Sequence, residues 1–325
     1  MKQLHSYLLS NEQGMRVEIL NFGARVKSIL FPVNDIPTEM TVGYEHNDSY
    51  LADTFYLGAS CGRVANRISD ASFELNGERY RLSANDGKNC LHGGVDNFAQ
   101  RFWQIDFAQS TKTSVTLTLH SADGDQGFPG NVVMQVRYHL SSDNRLTINY
   151  SARTDKATPL NMTNHCYFNL GEQNCLALEL QINAANYLAR NAQGIPSGEI
   201  VAVANSDLCF TAPNQLGQRQ YAAQHPQLKA PLGYDHCYVL EQQQSGPAAV
   251  LSSLQNKVKM SVSTDQAALQ LYTGAFLDGP FTAYQGVCLE AQNYTDAVNI
   301  PHFANSIVMP GEQYNKVISY HFENI

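Results

Sequence analysis

A chain of 325 residues with 43% hydrophobic and 15% charged residues has enough apolar material for a sizeable core and too little charge for disorder. Its net charge of −8 and 21 singly scattered Lys and Arg provide no basic stripe to neutralise phosphates, so nucleic acid is not an expected partner. The opening MKQLHSYLLSNEQG lacks a sustained apolar core, and nowhere do about 18 uncharged apolar residues run together; the expected setting is cytoplasmic, with no membrane attachment.

Taken in chain order, the first helical signal is a single turn within Asn47 to Leu57. Phe73 to Leu82 places Asn76-Gly77 between two alternating segments, the strongest short-range sign of a tight hairpin. Period-two apolar sets follow: Val115, Leu117, Leu119; Val132, Met134, Val136, Tyr138, Leu140; Leu146, Ile148, Tyr150; and Leu176, Leu178, Leu180, Ile182. Pro213 to Leu216 could open one helical turn, and Glu241 to Gly246 reads as a polar loop tip. Val258, Met260 and Val262 alternate again, as do Val317, Ile318, Tyr320 and Phe322 less cleanly. No segment sustains a three-to-four spacing, and there is no linker or repeat. The expected class is therefore all-β: one large antiparallel sandwich over residues 1–325, with few short helices. The seven cysteines are odd in number, spread out and without C-x-x-C, which predicts reduced core thiols. Three N-x-S/T tripeptides carry no consequence without a secretory signal.

The unusual chemistry sits in short blocks between strands, where sites are commonly built. Glu290 lies in the apolar run Gly286 to Ala291, where a carboxylate must be paired, hydrogen-bonded or functional. It is the most conspicuous acid of the chain. His165, between Asn164 and Cys166-Tyr167-Phe168, reads on its own as a core histidine bonded to a carbonyl. The Gly93-Gly94 pair after His92 fits either close approach of a ligand or a tight turn. Arg67 alone suits a surface ion pair, and Asp235 beside His236 suits a turn. His92, His165, His236 and Glu290 are metal-ligand types, but no H-x-H or H-E-x-x-H spacing preorganises them, and no metal is expected. Gly124 to Gly130 lacks the spacing and the following helix of a phosphate cradle and reads as a shaped turn.

Taken together and in order, the blocks resemble the aldose 1-epimerase (galactose mutarotase) family. The likeness runs through Asn21 to Ala24, Leu57-Gly58, Gly62 to Ile68, Leu91 to Gly94, Asp125 to Gly130, Asn161 to Leu170, Gly233 to His236, Gln270 to Gly274, Leu289 to Gln292 and Pro310 to Tyr314. The resemblance implies that family's single large β-sandwich, the galactose mutarotase-like supersandwich. It also implies Glu290 as base, His165 as acid, and His92, Arg67 and Asp235 as sugar-binding residues, with Asn66 and Gln270 as additions. The expected partner is a free monosaccharide. One departure is visible: Thr295-Asp296 stands where the family usually has Pro-Asp, which bears on loop shape and sugar preference.

Anomer exchange suits these residue types. The C1 hydroxyl loses a proton while the ring oxygen gains one, so one base and one acid suffice, and no electron leaves the sugar, so no cofactor is expected. Arg67 offers a donor fork and Asp235 an acceptor for neighbouring hydroxyls, and Tyr167, Tyr272 and Trp103 are candidate apolar walls. A glycoside hydrolase using Asp235 with Glu290 and a non-catalytic carbohydrate-binding sandwich are the competing readings.

Overall fold

The computed structural model describes residues 3–222, 228, 233–241 and 246–325. Strands dominate, arranged mainly in sheets of four, nine and six. Alternation is the cause: in Val132–Leu140 the residues Val132, Met134, Val136, Tyr138 and Leu140 are buried, while Val133 between them is largely exposed. Ser114–Ser121, Val132–Leu140, Arg145–Thr154, Tyr314–Asn324, Val258–Thr264 and Ala249–Ser253 pair successively antiparallel at the centre of the nine-stranded sheet. The expected antiparallel all-β architecture is what forms.

The six-stranded sheet runs Tyr167–Phe168, Val287–Gln292, Ala268–Tyr272, Asp235–Val239, Asn186–Arg190, Pro196–Ala202. Its strand Val287–Gln292 is buried on both faces, which explains its apolar sequence. Val287, Leu289 and Ala291 join the main hydrophobic core together with Leu269 and Leu271 of the neighbouring strand. Each large apolar side chain so buried stabilises the fold by roughly 1.5–3 kcal/mol. Cys288 and Glu290 necessarily point to the opposite face, and that face carries the site.

The hairpin at Asn76-Gly77 forms between Ser72–Leu75 and Glu78–Arg81. The helical turn within Asn47 to Leu57 is a 3-10 helix confined to Asn47–Ala52, and the one near Pro213 starts only at Leu216, where Leu216–Ala222 is α-helical. The alternation read from Leu176 onward also begins later: Cys175–Ala177 is a 3-10 turn, and the strand is Glu179–Ile182. Of the loop tip Glu241 to Gly246, residues 242–245 lie outside the described residues. All seven cysteines are free thiols, six of them buried. No helix among the described residues is long and apolar enough to cross a membrane.

Candidate active site

Register in the six-stranded sheet brings the site together. Tyr167 faces Cys288, Cys288 faces Tyr272, and Tyr272 faces Asp235; one step along, Glu290 faces Gln270 and Gln270 faces Cys237. With their period of two, these positions share one face of the sheet. His165, two residues before Tyr167, sits over it, its backbone pinned by its own N–H to the Ala59 carbonyl and by the Gly58 N–H to its carbonyl. A second pairing, Arg67–Ile68 with Cys90–Leu91, sets His92 against Asn66. Of these groups Tyr167, Tyr272, Asp235, Glu290, His165, Arg67, Asn66 and His92 line a cavity of about 220 Å³ together with Thr54, Phe55, Tyr56, Leu91 and Phe276. That is below the roughly 300–1,000 Å³ of drug-sized sites and suits a small polar molecule.

Glu290 is only 2% exposed. Its Oε1 lies 3.7 Å from His165 Nε2, and its Oε2 has no hydrogen-bond partner among the described residues. Burial pushes its pKa well above the usual carboxylate range; Asp235 adds to the shift and Arg67 opposes it. Burial brings His165 down to about 4, with a hydrogen bond to its own backbone opposing. The rings of Tyr56, Tyr167 and Tyr272 close around this imidazole at centroid distances of 5.9, 5.1 and 6.5 Å. Burial favours neutral forms of both groups, whereas their 3.7 Å separation favours the ion pair. Between neutral forms and ion pair the pair shares a single proton.

The remaining predicted residues are held by each other. Gln270 Nε2 donates to Asp235 Oδ1 at 2.5 Å, and Arg67 NH1 stands 3.8 Å from Asp235 Oδ2. Arg67 Nε donates to Asp86 Oδ2 at 2.7 Å. Burial would lower the Arg67 pKa, but Asp235 and Asp86 overcome it and raise it. The Asn66 amide N–H donates to His92 Nδ1 at 3.2 Å, and Asn66 Oδ1 accepts from the Arg67 amide. Seven sequence candidates thus surround or support one cavity: Arg67, His92, His165, Asp235, Glu290 and Asn66 line it, and Gln270 fixes Asp235 from beside it.

One expectation changes and the others are settled. Trp103 is no wall of the cavity: it is buried in the main core, donating from Nε1 to the Phe98 carbonyl. Tyr167 and Tyr272 do line it. The glycines after His92 serve the chain itself, since a Cβ at Gly93, whose φ is +97°, would lie 2.2 Å from the Gly62 carbonyl oxygen. The segment Gly124 to Gly130 is a shaped turn whose carbonyls at Pro129 and Gly130 accept from buried Arg63. The departure at Thr295 is absorbed by its hydroxyl, which accepts from Gln292 Nε2 at 3.3 Å. Among the lining residues, sequence reasoning missed Thr54, Phe55, Tyr56 and Phe276.

Sequence spacing gave no sign of a metal set, yet His92, His165 and Glu290 bring one donor atom each within 4.8 Å of one another. The hydrogen bonding behind His92 does not suit a metal ligand. A ligating histidine donates from its other ring nitrogen, whereas His92 Nδ1 accepts the Asn66 N–H. That keeps the neutral ring's proton on Nε2, as a hydrogen-bond donor to a ligand.

Residues 5–321 match the sequence profile of the family described as aldose 1-epimerase. An aldose 1-epimerase of Haemophilus influenzae is 40% identical, covering 97% of this chain and 94% of that protein. The galactose mutarotase of Homo sapiens is 34% identical, covering 95% and 91%. Among solved structures, a GalM/aldose epimerase homologue from C. elegans superposes with a TM-score of 0.94 at 26% identity, covering 99% of this chain and all of that one. A galactose 1-epimerase from Lactobacillus acidophilus gives 0.88 at 29% identity, covering 99% and 98%.

Proposed function

Because the chain belongs to the aldose 1-epimerase family, we propose that it interconverts the α and β anomers of a free aldose, with Glu290 as base and His165 as acid. The observation carrying this assignment is the buried carboxylate whose Oε2 has no partner among the described residues and whose Oε1 approaches His165 Nε2. An unpartnered oxygen in so dry a place is costly to the fold unless a ligand completes it.

Glu290 takes the proton of the C1 hydroxyl as the bond from C1 to the ring oxygen breaks, and the ring oxygen takes the proton from His165 Nε2. The product is the open aldehyde. Rotation about C1–C2 presents the other carbonyl face, and closure returns both protons. During opening the ion pair of Glu290 and His165 becomes a neutral pair, the state burial favours, which offsets part of the cost of opening the ring. Arg67, Asp235 and the Nε2–H of His92 hold the sugar hydroxyls, and Asn66 and Gln270 hold those residues in place.

Polarimetry on freshly dissolved galactose, glucose, xylose, arabinose and maltose tests the reading. Accelerated decay of optical rotation is expected for at least one of them. Decay at the buffer rate for every sugar overturns it, and release of sugar from an aryl glycoside would point to hydrolysis instead.

A further inference from the structure

His165 is gripped at both ring nitrogens by one strand. Nε2 faces Glu290 Oε1, and Nδ1 lies 3.5 Å from the sulfur of Cys288, two residues earlier on the same face of Val287–Gln292. We infer that Cys288 is a positioning residue for proton transfer: its sulfur accepts the Nδ1–H of His165, so that Nε2 is the nitrogen that exchanges its proton with the sugar. The inference rests on the acid role proposed for His165.

The two histidines of the cavity differ in what stands behind Nδ1. Behind His92 is a backbone N–H, which can only donate, so Nδ1 of His92 accepts and its proton stays on Nε2. Behind His165 is the sulfur of Cys288, which is able to accept. Nδ1 of His165 therefore keeps its proton while Nε2 cycles between N–H and lone pair. This separates the roles of two imidazoles whose centroids are only 5.3 Å apart: His92 is a fixed donor, and His165 is the group that gives a proton and takes it back.

The kind of partner matters as well. A carboxylate behind Nδ1 would stabilise the imidazolium strongly and make His165 a weaker acid; a sulfur is a weak acceptor and orients the ring without doing so. Burial pushes the Cys288 thiol well up, so it stays protonated and brings no charge beside the cavity. Tyr167 and Tyr272 flank Cys288 across the sheet, fixing the sulfur behind the ring.

The test compares C288V, similar in size with no acceptor, with C288S, which keeps one. Two readouts are taken: 15N chemical shifts of labelled histidine in the free protein, and kcat and KM by polarimetry. The wild type is expected to carry the neutral-ring proton of His165 on Nδ1 and that of His92 on Nε2. C288V should mix the His165 tautomers and lower kcat about tenfold, a small part of the roughly 10²–10⁴-fold a positioned acid supplies, with KM within about twofold. C288S should keep the wild-type tautomer and rate within about threefold. A wild-type His165 protonated on Nε2 overturns the inference, as does a C288V protein with unchanged tautomer and kcat, or equal losses in both variants with unchanged tautomers. Because the 15N measurement needs no turnover, a wild type that fails to accelerate mutarotation sinks the proposed function while leaving this result readable.

Discussion

His165 Nε2 lies 3.7 Å from Glu290 Oε1 in the lining of the cavity, while the other oxygen of that carboxylate is buried with no partner among the described residues. A sugar C1 hydroxyl bonded to Oε2 would complete the inventory and present its proton to the base. Glu290→Gln keeps size and hydrogen-bonding capacity but cannot take the proton. Its kcat should fall by at least about 10²-fold, with sugar affinity, read by calorimetry, largely kept. Equal loss of affinity and rate would make Glu290 a binding residue only.

The same substitution should stabilise the protein in alkaline buffer. Glu290 has its folded pKa raised by burial, so its contribution to stability is present below the unfolded value near 4.5 and is lost as pH rises through the folded one. Gln carries no such penalty. Relative to wild type, E290Q is expected to melt higher at pH 8, by roughly 1–2 °C for a gain of about 1 kcal/mol, with the difference shrinking towards pH 4. Identical melting differences at both pH values would show that burial exacts no cost from the carboxylate.

Arg67 reaches two acids with one guanidinium, Nε to Asp86 and NH1 towards Asp235, a division only a planar fork can make. Arg67→Lys keeps the charge and loses the fork. A rise in KM of about tenfold, equivalent to about 1.4 kcal/mol, is expected, with kcat changed far less. If KM stays at the wild-type value, Arg67 does not contact the sugar.

Much of this site was legible in sequence, for reasons particular to each residue. Glu290 announced itself as a charge in an apolar run, because its strand is covered on both faces. His165 did not; its neighbours are core residues, and only the resemblance singled it out. Tyr56 and Phe55 were invisible because a loop between strands has no periodicity, and their position is set by tertiary bonds from residues far away. The convergence of His92, His165 and Glu290 came from the resemblance alone, since spacing says nothing of residues from three distant stretches that meet through the fold. Trp103 misled because a large aromatic suits a core as well as a sugar, and its indole N–H found a backbone carbonyl inside.

The wall that carries Tyr56 depends on an ion pair with no exposed surface. Arg25 NH1 donates to Asp53 Oδ2 at 2.5 Å, and the same carboxylate accepts the amides of Phe55 and Leu57 on either side of Tyr56. Arg25 also donates to the carbonyls of Leu57 and Ala99. Tyr56 is held with φ at +60°, an uncommon backbone region for a bulky side chain, with its ring 4.6 Å from that of His92. Asp53→Asn leaves the guanidinium buried without its counter-charge. A loss of about 3–5 kcal/mol is expected in denaturant unfolding, and adding Arg25→Met should recover part of it, because the stranded charge is then gone. The double variant still has an Asn oxygen for only part of the work of two carboxylate oxygens, so its wall should be looser and its KM raised while the fold survives. Should D53N unfold at the wild-type midpoint, the pair does not hold the wall, and the conformation of Tyr56 must be fixed by packing against the two histidines.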